Sequence, residues 1–379
     1  MKISGIRIEN IRNHLVTDID LNYGLNIIYG LNGAGKTSIL EAISICGFSK
    51  SFLPVLDSSL INTGNDNYSV FARAVSDNDI PYKVSVVYGK SKRKRISSTL
   101  GDNLLAKDII GEMPMVIVTP DYKSITFGSP EHRRSFIDRI LSQASKVYIE
   151  DLLHYKRALK QRNSLLNDFN SGKKFENSLL KPWTDLLVKS GSEIMFRRLS
   201  FLEEFKILFK QHYYQISSGK EEVDIEYCPN GFEKNDWLKD RKLLEQKLYF
   251  LFEKHQDEEK RRGVTIIGPQ KDDIKIIING GAAREYASQG QHKSLLVALK
   301  FAEFEFLMIK RHETPIVLLD DIFSELDEER IKMVFDLIKK NSAQTLLTIT
   351  NPEMMKKILN DDNDYGLFEV INGKVFSKK

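Results

Sequence analysis

The chain has 379 residues, 41% of them hydrophobic, which is enough for two or three globular domains and argues against a disordered chain. Its net charge of +4 is compatible with nucleic-acid binding but does not by itself argue for it. Cys46 and Cys228 lie too far apart to indicate a disulfide framework, and no signal peptide or membrane-spanning run is evident, so we expect a cytoplasmic protein with no membrane partner.

The first stretch predicts a short β-meander that leads into a phosphate-binding loop. A buried strand at Leu25–Tyr29 is followed by GLNGAGKT at residues 30–37, and then by apolar residues at helical spacing as far as a stop at Gly47. The spacing GxxxxGKT is typical of such loops, because the glycines let consecutive N–H groups point at phosphates. The residues predicted to bind ATP are Gly30, Leu31, Asn32, Gly33, Ala34, Gly35, Lys36, Thr37 and Ser38.

Two residues of this phosphate loop have distinct predicted roles. Lys36 supplies a positive charge for the phosphates, and the hydroxyl of Thr37 is a ligand for Mg²⁺. The helix that follows begins at the phosphates with the positive end of its dipole. ATP and Mg²⁺ are therefore the predicted cofactors.

Strand-like runs at residues 68–76 and 80–88, and a third after the basic stretch KSKRKR, predict an antiparallel side sheet. Basic residues at its tip could meet the phosphates of DNA, or could simply solvate and protect an edge strand. The candidate DNA contacts are Lys92, Arg93, Arg95, Arg133 and Arg134. For Arg133 and Arg134, an equal alternative is a structural role: they would hold the start of the next domain against the lobe that contains the phosphate loop.

Residues 129–262 predict an inserted helical domain. Helical apolar spacing is present at 130–143, 148–167, 181–215 and 237–262, and glycine and proline residues divide the region into pieces of a compact lobe. Strand character returns at 264–268 and 274–279, before a strongly apolar helix at 292–309.

The apolar run at residues 316–319 ends in two carboxylates. A strand of this kind beside a phosphate loop delivers its terminal acid, here Asp320, to Mg²⁺ in the arrangement called Walker B. Asp321 follows and is the candidate catalytic base that orients or deprotonates the attacking water.

Two further motifs have the order expected of ABC-type ATPases. SQGQ resembles the signature LSGGQ, and SELD at residues 324–327 resembles the D-loop that follows Walker B. A small polar helix N-terminus can bind a γ-phosphate, and in this superfamily it does so across a dimer interface. The residues predicted to bind ATP in trans are Ser288, Gln289, Gly290, Gln291 and Asp327.

Longer segments resemble the RecF family of bacterial DNA replication and repair proteins, which are SMC-like ABC ATPases. These segments are GIRIENIRNH at the N-terminus, residues 119–141, GPQKDD at residues 268–273 and residues 288–303. The resemblance covers essentially the whole chain. It implies binding of ATP and of single-stranded, gapped or junction DNA, ATP-dependent homodimerisation, and action with RecO and RecR to load recombinase at single-strand gaps.

Some residues depart from the family pattern. GPHRDD is here GPQKDD, with Gln270 and Lys271 at the changed positions, and the SFR pattern reads SFL at residues 51–53. No Q-loop glutamine is identifiable, and the switch histidine expected after residues 345–349 is absent, with Thr350 the nearest polar residue. We therefore expect slow ATP hydrolysis that serves as a switch.

The predicted fold is α/β: an ABC-type phosphate-loop ATPase lobe with an antiparallel side sheet and an inserted helical domain. Residues 1–128 and 263–379 would form the two parts of the ATPase domain, and residues 129–262 the insertion. One alternative is the nucleotide-binding subunit of an ABC transporter, which usually has a shorter helical subdomain and a clear switch histidine. A small-molecule kinase is a second alternative, and it would have no use for the signature or for Asp327.

Overall fold

The structure is a computed structural model that describes residues 1–120, 124–170, 177–233, 240–322, 327–350 and 365–378. The chain divides into two compact units. We call Met1–Tyr122 with Lys293–Lys379 the first unit, and Lys123–His292 the second unit.

The elements follow one another along the chain in the order β1 (Lys2–Ile11), β2 (His14–Asp20), β3 (Leu25–Tyr29), α1 (Lys36–Phe48), β4 (Asn67–Val75), β5 (Pro81–Gly89), β6 (Lys92–Ser98), α2 (Ala106–Ile109), β7 (Met115–Val118), α3 (Ser124–Phe127), α4 (Pro130–Ala144), α5 (Lys146–Asn170), α6 (Lys181–Ser217), β8 (Val223–Cys228), α7 (Arg241–Arg262), β9 (Asp273–Ile278), β10 (Gly281–Ala282), α8 (Ala283–Tyr286), α9 (Gln289–Arg311), β11 (Ile316–Asp320), α10 (Glu328–Lys340), β12 (Thr345–Ile349), β13 (Tyr365–Ile371) and β14 (Lys374–Ser377). Short 3-10 helices lie at Asp57–Leu60 and Asn177–Leu179.

The first unit contains two sheets. One is antiparallel with the order β2-β1-β4-β5-β6, as predicted for the side sheet. The other has the order β14-β13-β3-β12-β11-β7 and is parallel except for β14 at its edge. Strands β11 and β12 are buried at every position, which explains why IVLLD and TLLTI hold no charged residue except the terminal Asp320.

Helix α1 belongs to a core cluster that contains residues of both sheets. It is buried on all sides from Ser38 to Phe48, so it lacks the polar face of a surface helix. The predicted stop at Gly47 is wrong, because α1 continues to Phe48 and its C-cap is Ser49, which has a left-handed φ of 57°. Gly47 is instead explained by close packing, since a Cβ there would lie 2.7 Å from Cε of Met115.

The second unit has a helical core that is rich in aromatic residues. The ring of Phe205 lies 4.8 Å from that of Phe201 on the same helix, α6, and 6.1 Å from that of Phe136 on α4, measured between centroids. Among the described residues of the unit, the predicted helices correspond to α4, α5, α6 and α7.

The second unit also contains a three-stranded sheet, β10-β9-β8, of which neither β8 nor β10 was predicted. Val223 of β8 pairs with Ile278 of β9, and all of α7 lies between these two residues in the sequence. Local sequence patterns do not reveal a pairing between such distant segments. The compact unit that contains this sheet extends to His292, whereas the predicted helical domain ended at residue 262.

The strand predicted at residues 264–268 is absent. The N–H groups of Thr265 and Ile266 donate to the side chains of Asn163 and Glu259, at 2.8 Å each, so their backbone is satisfied without a strand partner. In the described part of the chain, no helix is both long enough and apolar enough to cross a membrane.

Candidate nucleotide site

A cleft of about 550 Å³ opens in the first unit where α1 begins, a volume in the usual range for small-ligand sites. The phosphate loop and the end of β11 meet there because β12 lies between β3 and β11 in the parallel sheet, with all three strands pointing the same way. The predicted site residues that line the cleft are Asn32, Gly33, Gly35, Lys36, Thr37, Ser38, Asp320 and Asp321.

The phosphate loop takes its shape from glycines and from close backbone contacts. Gly35 has a left-handed φ of 114°, and a Cβ at Gly30 would lie 2.3 Å from the carbonyl oxygen of Val370. No side chain caps the start of α1 at Gly35, so its first N–H groups can receive an anion. Leu31 is 83% exposed and Ala34 is buried, and neither of these predicted residues lines the cleft.

The ammonium group of Lys36 is held over the loop. Its Nζ donates to the carbonyl oxygens of Gly30 at 2.8 Å and of Leu31 at 3.0 Å. Burial lowers the pKa of Lys36, while the nearby carboxylates of Asp321 and Asp320 act in the opposite direction. The loop thus presents a cation whose position is set by its own backbone.

Thr37 and Asp320 are adjacent in the cleft. The hydroxyl of Thr37 donates to Oδ1 of Asp320 at 2.9 Å, and the hydroxyl of Thr348 donates to the same oxygen at 2.7 Å. Burial raises the pKa of Asp320, against the effect of these two hydrogen bonds. A hydroxyl beside a buried carboxylate is a suitable oxygen donor set for Mg²⁺, because a cation would offset the burial of the carboxylate.

Asp321 lies next to this pair with a left-handed φ of 48°. Its N–H donates to Oγ1 of Thr348 at 3.0 Å, so Thr348 supports both acidic residues. Among non-glycine residues this backbone conformation is uncommon, although aspartate tolerates it better than most.

Several residues line the cleft that sequence analysis did not assign to it: Arg12, Asn13, Ser59, Ile61, Thr63 and Thr348. Arg12 is held by the buried Glu41 of α1, with its Nη2 3.2 Å from Oε1. Arg12 and Asn13 belong to the RNH segment that carried part of the family resemblance, which could have flagged them. Thr350, named as the nearest substitute for a switch histidine, also lines the cleft.

Ser288 lies in the second unit and forms a capping box with Gln291 at the start of α9. The N–H of Ser288 donates to Oε1 of Gln291 at 2.7 Å, and the N–H of Gln291 donates to Oγ of Ser288 at 3.2 Å. Gln291 also donates to Glu221 at 2.6 Å. Ser288, Gln289 and Gly290 are exposed, so this helix start is accessible to a ligand.

Asp327 caps α10 by accepting from the N–H of Arg330 at 3.0 Å. The rest of the predicted D-loop, residues 324–326, lies outside the described residues.

The basic run near β6 divides into two groups. Lys94 is tied to Asp57 at 2.6 Å and Lys90 to Asp66 at 3.2 Å. The other three basic side chains are exposed and make no ion pair within the described part of the chain; they are Lys92, Arg93 and Arg95.

Arg133 and Arg134 are engaged within the second unit. Arg133 is buried and donates to both carboxylate oxygens of Asp273, at 2.8 and 3.0 Å, and Arg134 donates to the carbonyl of Asp272 at 2.6 Å. This geometry favours the structural alternative, with β9 and the GPQKDD segment of the same unit as their partners. Gln270 of that segment is also internal, accepting a hydrogen bond from the Tyr155 hydroxyl.

The family model described as "RecF/RecN/SMC N terminal domain" matches residues 2–375. A "DNA replication and repair protein RecF" from Prosthecochloris aestuarii is 36% identical over 356 residues, covering 92% of this chain and 94% of that protein. The protein of the same name from Geotalea daltonii is 33% identical over 376 residues, covering 99% and 100%.

Solved structures agree with these relatives. The "recombination mediator protein RecF-ATP in RecFOR pathway" is similar with a TM-score of 0.90 and 30% identity, covering 100% of this chain and 98% of that one. An "SmcHead bound to the C-winged helix domain of ScpA" shares the fold alone, with a TM-score of 0.56 and 16% identity. The predicted α/β fold of the SMC-like ATPase class is thus confirmed, and the chain belongs to the RecF/RecN/SMC N-terminal domain family, where its full-length relatives are RecF proteins.

Proposed function

We propose that this protein is an ATP-binding DNA replication and repair protein that acts as RecF proteins do. The observation that carries the proposal is the convergence of Lys36, Thr37 and Asp320 on one cleft, in a chain that is similar over 99% of its length to a protein of that name. A solved relative has a title that names ATP, which supports the assignment of the cleft. The comparisons do not favour the alternative of a transporter subunit.

In this proposal the loop N–H groups and Lys36 bind the triphosphate, and Thr37 and Asp320 hold Mg²⁺. The metal would neutralise charge on the phosphates when bound. Asp321 directly follows β11 and orients the attacking water, and the side chain of Thr348 accepts a hydrogen bond from its N–H group. ATP hydrolysis is expected to be slow, because the chain lacks the switch histidine of ABC-type ATPases and Thr350 is the nearest polar residue to its expected position.

The signature helix start acts on a nucleotide that is bound by a second copy of the chain. Ser288 and Lys36 belong to different compact units, and the exposed start of α9 carries the partial positive charge that suits a γ-phosphate. ATP would then serve as the link of a homodimer. DNA is the proposed macromolecular partner, and RecO and RecR are proposed partners because a solved relative is described as part of the RecFOR pathway.

The DNA-binding part of the proposal is tested by a gel-shift series on gapped, single-stranded and duplex DNA, each with and without ATP. We expect ATP to increase the affinity of the parent protein for DNA and the affinity to fall with salt. Replacing Lys92, Arg93 and Arg95 by alanine should weaken binding and lower the slope of log K against log salt by about 2, if most of the three meet phosphates.

The matched control removes the same charge elsewhere in the first unit, at Lys332, Lys339 and Lys340 of α10, which are exposed. It should leave the slope unchanged. If the variant with alanine at Lys92, Arg93 and Arg95 shows the salt slope of the parent, β6 is not part of the DNA interface. A parent protein that does not bind DNA, with or without ATP, would overturn the proposed function.

A second experiment tests the trans role of Ser288. Replacing Ser288 by arginine should leave the ATP affinity of the monomer intact, while ATP-dependent dimerisation and hydrolysis fail together, because the bulky side chain occupies the place of the γ-phosphate. Sedimentation with a slowly hydrolysed ATP analogue measures the dimer.

Ser129→Arg is the control for this variant, since Ser129 is also an exposed residue at a helix start in the second unit. It should dimerise as the parent does. A Ser288→Arg protein that dimerises like the parent, or a parent that stays monomeric with saturating analogue, would contradict the proposed role of ATP as a link.

A further inference from the structure

Asn13 and His14 lie directly against the phosphate loop. Asn13 belongs to the turn between β1 and β2, and His14 is the first residue of β2. His14 is fully buried, and its Nε2 lies 2.9 Å from the carbonyl oxygen of Gly35. Asn13 donates through Nδ2 to the carbonyl oxygens of Gly33 at 3.2 Å and Ala34 at 2.7 Å. Three successive loop carbonyls are therefore held by two adjacent side chains from outside the loop.

Holding these carbonyls also orients the N–H groups of the loop. In a trans peptide the C=O and the following N–H point in opposite directions, and the described residues contain no cis peptide. With the Gly35 carbonyl directed at His14, the N–H of Lys36 must point away from His14. Gly35 and Lys36 both line the cleft, so the orientation of this peptide matters for an anion there.

The proton on the imidazole of His14 is assigned by its partners. A carbonyl oxygen can only accept, so Nε2 carries the hydrogen and donates to Gly35. Nδ1 lies 2.9 Å from the hydroxyl of Thr17, which is also 3.3 Å from the carbonyl oxygen of Gly373, and the shorter distance favours donation of the hydroxyl hydrogen to Nδ1. Burial lowers the pKa of His14, although the backbone groups of Gly35 and Gly373 act in the opposite direction, and the neutral ring with this tautomer donates to Gly35 and can accept from Thr17.

A purely space-filling role for His14 would have a different signature. A Cβ at residue 35 would lie 2.6 Å from Nε2 of His14, so the ring does fill the space beside the glycine. If filling were all that mattered, any substitute of similar volume would serve. If donation matters, only a substitute with a donor at the Nε2 position will serve.

We propose that His14 is a positioning residue for nucleotide binding, which orients the Gly35–Lys36 peptide by donating from Nε2 so that the Lys36 N–H is directed at a phosphate. The inference deepens the proposed function and rests on ATP binding in the cleft.

The test compares two amide variants by calorimetry with ATP and Mg²⁺. Glutamine can place its Nε2 donor near that of histidine, whereas asparagine is one methylene shorter and cannot reach Gly35. His14→Asn should raise the Kd for ATP about tenfold, the effect of losing one hydrogen bond of ordinary strength, and His14→Gln should stay within about threefold of the parent. His132→Asn, at an exposed histidine of the second unit, is the control and should bind as the parent does.

Thermal melting shows whether each variant folds. If His14→Asn fails to fold, Thr17→Val and Thr17→Ser carry the test instead, since only serine keeps the hydroxyl partner of Nδ1; valine should weaken ATP binding and serine should not. Equal ATP affinity of His14→Asn and the parent, or equal losses in the asparagine and glutamine variants, would overturn the inference. A parent protein that does not bind ATP would instead refute the proposed function, which keeps the two failures apart.

Discussion

Replacing Lys36 by methionine is expected to abolish productive ATP binding, with an affinity loss of more than about a hundredfold. Methionine keeps the length of the side chain and removes its charge. The triphosphate then loses the cation that the loop carbonyls of Gly30 and Leu31 hold in place. Calorimetric titration with ATP and Mg²⁺ measures the effect.

The control for this variant is Lys332→Met, which removes the same charge from an exposed position on α10. It should bind ATP like the parent. Thermal melting of the Lys36→Met protein should also match the parent, because the two loop carbonyls can turn to water. Unchanged ATP affinity in a folded Lys36→Met protein would refute the assignment of the cleft.

The second large effect is expected in the second unit, where Arg162 of α5 pairs with Glu259 of α7. Their side chains are 1% and 0% exposed, and Nη2 lies 2.6 Å from Oε2. Arg162 also donates to Thr265 at 2.8 Å and stacks over Phe252 at 4.9 Å from the ring centroid. Arg162→Met leaves a buried carboxylate without its counter-charge and should lower the free energy of unfolding of the second unit by about 3–5 kcal/mol.

Urea unfolding followed by tryptophan fluorescence measures this loss. The chain has two tryptophans, and Trp183 lies on α6 of the second unit, so its signal reports on that unit. Adding Glu259→Gln should recover part of the lost stability, because the stranded charge is removed. Lys181→Met, which breaks an exposed pair with Asp185, is the control and should change little. An Arg162→Met midpoint equal to that of the parent would show that the pair does not stabilise the unit.

Local sequence patterns were sufficient to predict those parts of the cleft whose residues are consecutive in the chain. The phosphate loop and the run IVLLDD each carry their role in consecutive residues, and the structure brings Lys36, Thr37 and Asp320 to one cleft. Strand β3 matches its predicted bounds, because a short apolar run between turn residues has few other ways to be buried. The assignment of these residues to ATP remains a prediction.

Patterns of charge were less informative, because an arginine in a sequence does not reveal what it pairs with. Arg133 and Arg134 have the same local character as Arg93 and Arg95, yet the first two bond to Asp273 and Asp272 and the last two are exposed. Acceptors that lie far along the chain decide the difference: a carboxylate for Arg133 and a backbone carbonyl for Arg134.

By itself the sequence determined the elements that meet at the cleft: a loop with the GxxxxGKT spacing and a strand that ends in carboxylates, each defined by short-range spacing. The tertiary structure alone decided which residues support that site. Thr348 reaches Asp320 from β12, His14 reaches Gly35 from β2, and β8 pairs with β9 across α7. These contacts join segments that are distant in the chain, and they form because buried polar groups must find partners wherever the fold places them.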